Sequence, residues 1–111
     1  MAKNEYRWVI LPQAENDIEE TLKYISEEFH NPTAADKLLL KMIEAMKIIS
    51  VFPYSSPTIK DERVTLGKEY RRANIENFVL IYKVVEELKE IRIMAAFYGP
   101  SDVNARLLKR I

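Results

Sequence analysis

The stretch FVLIYKVV, Phe78 to Val85, is apolar at even and odd positions alike. In a β-strand successive side chains point to opposite faces, so a run of this kind must be covered on both sides. That requirement makes it the central strand of a sheet. The stretches beside it are also strand-like: Tyr70 to Ile75 alternates imperfectly, while Glu90 to Tyr98 sets Ile91, Ile93, Ala95 and Phe97 against Arg92, Met94, Ala96 and Tyr98. The breaks between them, Glu76-Asn77 and Glu86-Glu87-Leu88-Lys89, are short. Tight connections imply antiparallel neighbours, so a three-stranded meander is expected.

The N-terminal half has a different period. YRWVIL, Tyr6 to Leu11, is β-branched and aromatic, stops at Pro12 and reads as a further strand. Ala14, Ile18, Leu22, Ile25 and Phe29 then recur at spacings of four and three among acidic residues, the pattern of an amphipathic helix. HNPTAAD breaks it: Asn31 can cap a second helix, and Pro32 suits the first helical position. That helix runs through Ala35, Leu38, Leu39, Met42, Ala45, Met46 and Ile49 to about Phe52, where Pro53 ends it. Phe52 to Glu69 reads as a long connection, and VNARLLKRI as a short final helix capped by Ser101 or Asp102. The expectation is a single α+β domain over residues 1–111, ordered β-α-α-β-β-β, with a helical hairpin on one face of a mostly antiparallel sheet. The other face is expected to be partly open, which invites a partner: nucleic acid, protein, or a second copy of the chain as a homodimer.

Composition removes several kinds of chemistry. With no cysteine, disulfides, thiolate nucleophiles and cysteine zinc sites are excluded, and a reducing, cytoplasmic setting is expected. His30 is the only histidine and sits at a helix junction, so it reads as a local structural residue. Neither a metal site nor a cofactor is expected. No apolar run approaches the ~20 residues of a membrane span, so no membrane association is expected. Seventeen basic residues balance seventeen acidic ones, which argues against a dedicated nucleic-acid binder.

The order of elements, the segment PQAENDIEETLKYISEEFHNPTAADKLLLKMIEAMKIISVFPYSSP, the segment YRRANIENFVLIY and the closing YGPSD together resemble the RelE/ParE family of bacterial toxins from type II toxin–antitoxin modules. Ala14, Asp17, Tyr24-Ile25, Asn31, Pro32, Ala34 and Ala35 match positions typical of that family's helices. The resemblance implies a growth-inhibiting toxin of the kind used in plasmid stabilisation, neutralised by a cognate antitoxin. Its members divide between RelE-like endoribonucleases that cut messenger RNA in the ribosome and ParE-like proteins that block DNA gyrase.

Cleavage through a 2′-hydroxyl needs a proton acceptor, cations to stabilise the phosphorane, and a donor for the leaving oxygen. RelE-like sequences are expected to supply basic residues on the second and third strands and near the C-terminus. Here Val79 stands at the third-strand arginine position, and Pro100 and Ser101 stand where many relatives carry a basic pair. A RelE-type mechanism would lean on Arg72, on Lys68 or Lys60, and on Tyr98. The match of Tyr70, Arg71, Arg72, Asn77 and Tyr82 to the ParE-like pattern favours a toxin that binds a protein; an inert binding module is the third reading. Contact with target or antitoxin is expected from Arg71, Arg72, Tyr82, Tyr98, Ser101 and Asp102. Of the adjacent arginines, one should face the open groove and the other pair with a helix carboxylate such as Glu19 or Glu20. Trp8, Tyr24, Phe29, Met42, Met46 and Phe97 read most simply as core, and Tyr82 as a packed tyrosine with a bonded hydroxyl.

Overall fold

The computed structural model describes residues 5–28, 30–99 and 103–110. Strand β1 (Arg7–Ile10) leads into helix α1 (Pro12–Glu28), and helix α2 (Pro32–Val51) returns antiparallel to it. Asn31 caps α2 by accepting a bond from the Ala34 amide, and Pro32 occupies its first turn. His30 takes the left-handed conformation (φ 50°) that closes α1, so its role is in the chain reversal. Strands β2 (Arg71–Ile75), β3 (Phe78–Val85) and β4 (Glu90–Tyr98) follow, and the sheet order is β1-β4-β3-β2. β3 is interior and antiparallel to both neighbours, while β1 runs parallel to β4 at the far edge.

The helical hairpin covers one face of the sheet, where Ala14, Ile18, Met42 and Ile49 meet Ala73, Phe78, Leu80, Tyr82, Ile91 and Ile93. The other face is more enclosed than the sequence suggests. A short helix α3 (Glu62–Thr65), capped by Asp61, forms inside the expected long connection, and α4 (Val103–Leu108) folds back beside it. Val64, Val103 and Leu107 thereby bury Val79, Ile81, Ala95 and Phe97 in a second apolar cluster. The four apolar residues on that face supply the reason: without such a cover they would lie in water.

β4 departs from strict alternation. Ile81 pairs with Ala95 and Tyr82 with Ile93, so Met94 is an extra residue, a β-bulge. The bulge shifts the phase of the strand. Ile91 and Ile93 share the hairpin face with Ala96 and Tyr98, while Met94, Ala95 and Phe97 take the other.

The β2 edge of the sheet is partly closed, and so is the stretch of β4 that runs past β1. Residues 57–59 lie against β2, with the Ile59 amide donating to the Tyr70 carbonyl and the Arg72 amide to that of Pro57. Beyond the end of β1, Asp17 accepts the Ala96 amide at 3.0 Å.

Four of the six core assignments hold. Met42 and Phe97 are buried, and Trp8 and Met46 pack against the core. Tyr24 does not follow: it is exposed at the mouth of a cleft, and Phe29 lies outside the described residues. No helix among the described residues is long and apolar enough to cross a membrane.

Candidate functional site

The two arginines point to opposite faces of β2, and their surroundings differ sharply. Arg71 shares the hairpin face with Ala73 and Ile75. Its Nη1 donates to the carbonyls of Tyr54 and Ser56 at 3.1 and 2.7 Å, its Nη2 to Glu69 at 2.8 Å, and the guanidinium stacks over the Tyr54 ring. With its side chain only 13% exposed, Arg71 is a clamp on the chain leaving α2. Its partners are therefore loop carbonyls and Glu69, and not Glu19 or Glu20. Those helix carboxylates are exposed on α1, whereas the chain leaving Pro53 passes directly over β2. Arg72 faces the second side of the sheet. Its Nε donates to Asn74 at 3.0 Å, and it has no ion pair among the described residues.

The other candidates are scattered. Tyr82 is fully buried, donates to the Pro53 carbonyl at 2.8 Å and meets Trp8 edge-on, so it is a packing residue inaccessible to a partner. Lys60 and Lys68 are exposed on the α3 segment. Tyr98 closes β4 on the hairpin face, half-buried, with its ring 6.5 Å from that of Tyr24. Arg72 pairs with Ile81, which pairs with Ala95 on the opposite face from Tyr98. The fold thus separates Arg72 from Tyr98 by the thickness of the sheet. Pro100, Ser101 and Asp102 lie outside the described residues.

A cleft of about 790 Å³ opens where α1, α4 and the end of β4 meet. Its floor is fixed by Asp17, buried on the inner stripe of α1, which accepts the Ala96 amide and is gripped by both terminal nitrogens of Arg110. Arg106 and Arg110, one helical turn apart, lie over the Phe97 ring at 5.4 and 4.8 Å. One terminal nitrogen of Arg106 is buried without a hydrogen-bond partner. Glu20, Tyr24, Asn77, Tyr98 and Lys109 are among the other residues that line it. Since Arg110 neutralises Asp17, the cleft keeps two cations, Arg106 and Lys109, against one carboxylate, Glu20. Such a lining can hold a carboxylate or phosphate while two tyrosine rings offer apolar contact. A second, smaller cleft of about 270 Å³ between α1 and the start of α2 shares Asn77 and Tyr98 with the first. Tyr98 therefore stands at the junction of a continuous groove.

Sequence reasoning located Tyr98 but read VNARLLKRI only as a short final helix and gave no role to Arg106, Lys109 and Arg110. The available clue was their spacing: Arg106 and Arg110 repeat at four residues next to Val103 and Leu107, so a helix that buries the apolar pair places both guanidiniums along one edge. No group of three or more residues suited to hold a metal occurs among the described residues.

A helical hairpin laid on a four-stranded sheet of this order is the fold of RelE-like toxins. A solved example is the RelBE2 toxin–antitoxin complex from Mycobacterium tuberculosis, which is 13% identical, covers 89% of this chain and 97% of that one, and superposes with a TM-score of 0.62. Residues 9–97 match the family model described as the ParE toxin of the type II toxin–antitoxin system, parDE, and the chain belongs to that family. No curated protein matches it.

Proposed function

We propose that this chain is a toxin that inhibits growth by binding DNA gyrase, and that a cognate antitoxin neutralises it by laying a segment along the groove through Tyr98. The observation that carries this reading is the separation of Arg72 from Tyr98. A metal-free ribonuclease needs its proton-transfer group and its phosphate-binding cations around one scissile bond, within hydrogen-bond reach of each other through the substrate. Here the two candidates lie on opposite sides of the sheet, and Val79 is buried under α3 and α4. Membership of the ParE family supports the same reading.

The test is a gyrase supercoiling assay run beside a translating extract. Supercoiling should fall as the protein is added, with message left intact. Arg72→Ala should weaken inhibition about tenfold, the effect of losing ~1.4 kcal/mol at a charged contact. Message fragments cut at fixed codon positions would overturn the proposal. One observation favours that second reading, a ribosome-dependent endoribonuclease: Tyr98 shares its cleft with Arg106 and Lys109, which can hold a phosphate. In that case Tyr98→Phe and Arg106→Ala would each suppress cleavage, and Arg72→Ala would not. A chain that binds its antitoxin yet inhibits neither process would be an inert module.

A further inference from the structure

Helix α2 is apolar on more sides than this chain can cover. Ala35, Met42 and Ile49 turn inward to the core. On the outward side Leu40, Ile48, Val51 and Phe52 are 60, 61, 51 and 62% exposed, and Ile43 is exposed as well. A helix apolar all round is ordinarily a buried one, so the outer ridge lacks a partner.

The order of residues along that ridge says what the partner is. Leu40, Glu44, Lys47 and Val51 follow one another at spacings of four, three and four, so they lie on one stripe of the helix with two charges at its middle, and Ile43 and Ile48 flank it on either side. Read in reverse, the ridge exchanges its two charges: apolar, acidic, basic, apolar meets apolar, basic, acidic, apolar when a second copy is laid antiparallel. Leu40 then meets Val51 of the other copy at both ends, and Glu44 meets Lys47 twice in the middle. Neither Glu44 nor Lys47 has an ion pair within the chain among the described residues. A surface that complements itself about a two-fold axis is the requirement for an isologous dimer.

We infer that the outer ridge of α2 is a homodimer interface, in which two copies pack antiparallel through Leu40, Ile43, Ile48 and Val51 and are held in register by two Glu44–Lys47 ion pairs. The seam is the length of one helix, about 30 Å. An interface of that size falls at the small end of specific contacts, so dissociation is expected in the micromolar range, on the order of 1–10 μM. The groove through Tyr98 is left free, because none of these six ridge residues lines it.

Sedimentation equilibrium on the full chain tests this directly. The wild-type protein should pass from monomer to dimer across that range. Lys47→Glu, which sets acid against acid at two places in the seam, should raise the dissociation constant at least about tenfold. The double exchange Glu44→Lys with Lys47→Glu should restore it, and circular dichroism should be the same for all three, since both side chains are exposed. A chain that stays monomeric at ~100 μM, a dimer indifferent to Lys47→Glu, or single and double variants equally weakened would each overturn the inference. So would hydrogen exchange showing α2 protected only by a co-purified partner.

Discussion

Glu86 gathers hydrogen bonds from three side chains that the sequence holds far apart. Tyr6 and Tyr54 both donate to its Oε1, and Lys89 to its Oε2, so a single carboxylate ties the entry to β1 and the exit of α2 to the β3–β4 turn. These bonds, Lys89 first, then Tyr54 and Tyr6, draw the Glu86 carboxyl down from its ordinary 4.5 to about 2, and in return the Tyr54 hydroxyl is pushed up to about 12. A carboxylate with a depressed folded pKa adds stability that is fully present above the unfolded value and is lost as the folded form finally protonates. For Glu86 that window runs from about pH 4.5 down to about 2. Glu86→Gln should therefore lower the unfolding midpoint at pH 7, and the gap from wild type should close as the pH falls through that window. Thermal melts at several pH values would show it, and parallel curves for the two proteins would refute it. Nothing in the sequence around Glu86 announces this hub. Lys89 is a local partner three residues on, but Tyr6 and Tyr54 reach Glu86 only through the tertiary fold.

Among the elements, α4 matters more than its six residues suggest, since it covers the second apolar cluster, carries Arg106 and places Lys109 and Arg110 just past its end at the cleft. What holds it is the grip of Arg110 on Asp17. Arg110→Ala would leave the Asp17 carboxylate buried with the Ala96 amide as its remaining hydrogen-bond partner among the described residues, at an expected cost of about 2 kcal/mol, below the figure for a fully buried pair because Arg110 is partly exposed. Denaturant unfolding should show the loss, with faster hydrogen exchange in residues 103–108. An unchanged midpoint would mean that the apolar contacts of Val103 and Leu107 suffice. The central position of β3 was legible in its two-faced apolar run, and the α1–α2 break in Asn31-Pro32, because both follow from local rules. The cover over the second face was not: α3 is too short to show a period, and α4 gains its apolar role only by folding back. The bulge at Met94 was hidden for a related reason, since Ala95 and Ala96 are small enough to fit either face and the letters alone do not fix the phase.

For the molecule as a whole, the parallel pairing of β1 with β4 joins residues 7–10 to residues 90–93 and so makes the sheet a single object. Trp8 sits at that joint: its indole N–H donates to the Met46 carbonyl at 3.1 Å and its ring meets Tyr82, so one side chain senses β1, α2 and β3 together. Unfolding followed by tryptophan emission and by far-UV circular dichroism should therefore give one midpoint, as expected for a cooperative domain of this size. An earlier fluorescence transition would mean that β1 detaches on its own. The Arg72–Tyr98 separation belongs to this scale too, because only the sheet register reveals it.

The short cover that residues 57–59 lay along β2, and the Asp17 carboxylate set against β4, have a bearing on misassembly. An unpaired strand edge is a template for another strand, and long, flat edges seed fibrils. On the β2 side the cover occupies the Arg72 amide and the Tyr70 carbonyl, leaving an open stretch around Asn74 too short to align a second chain. On the β4 side Asp17 takes the first amide beyond β1. In a crowded, concentrated sample of the folded protein, strand addition at the β2 edge should therefore be blocked.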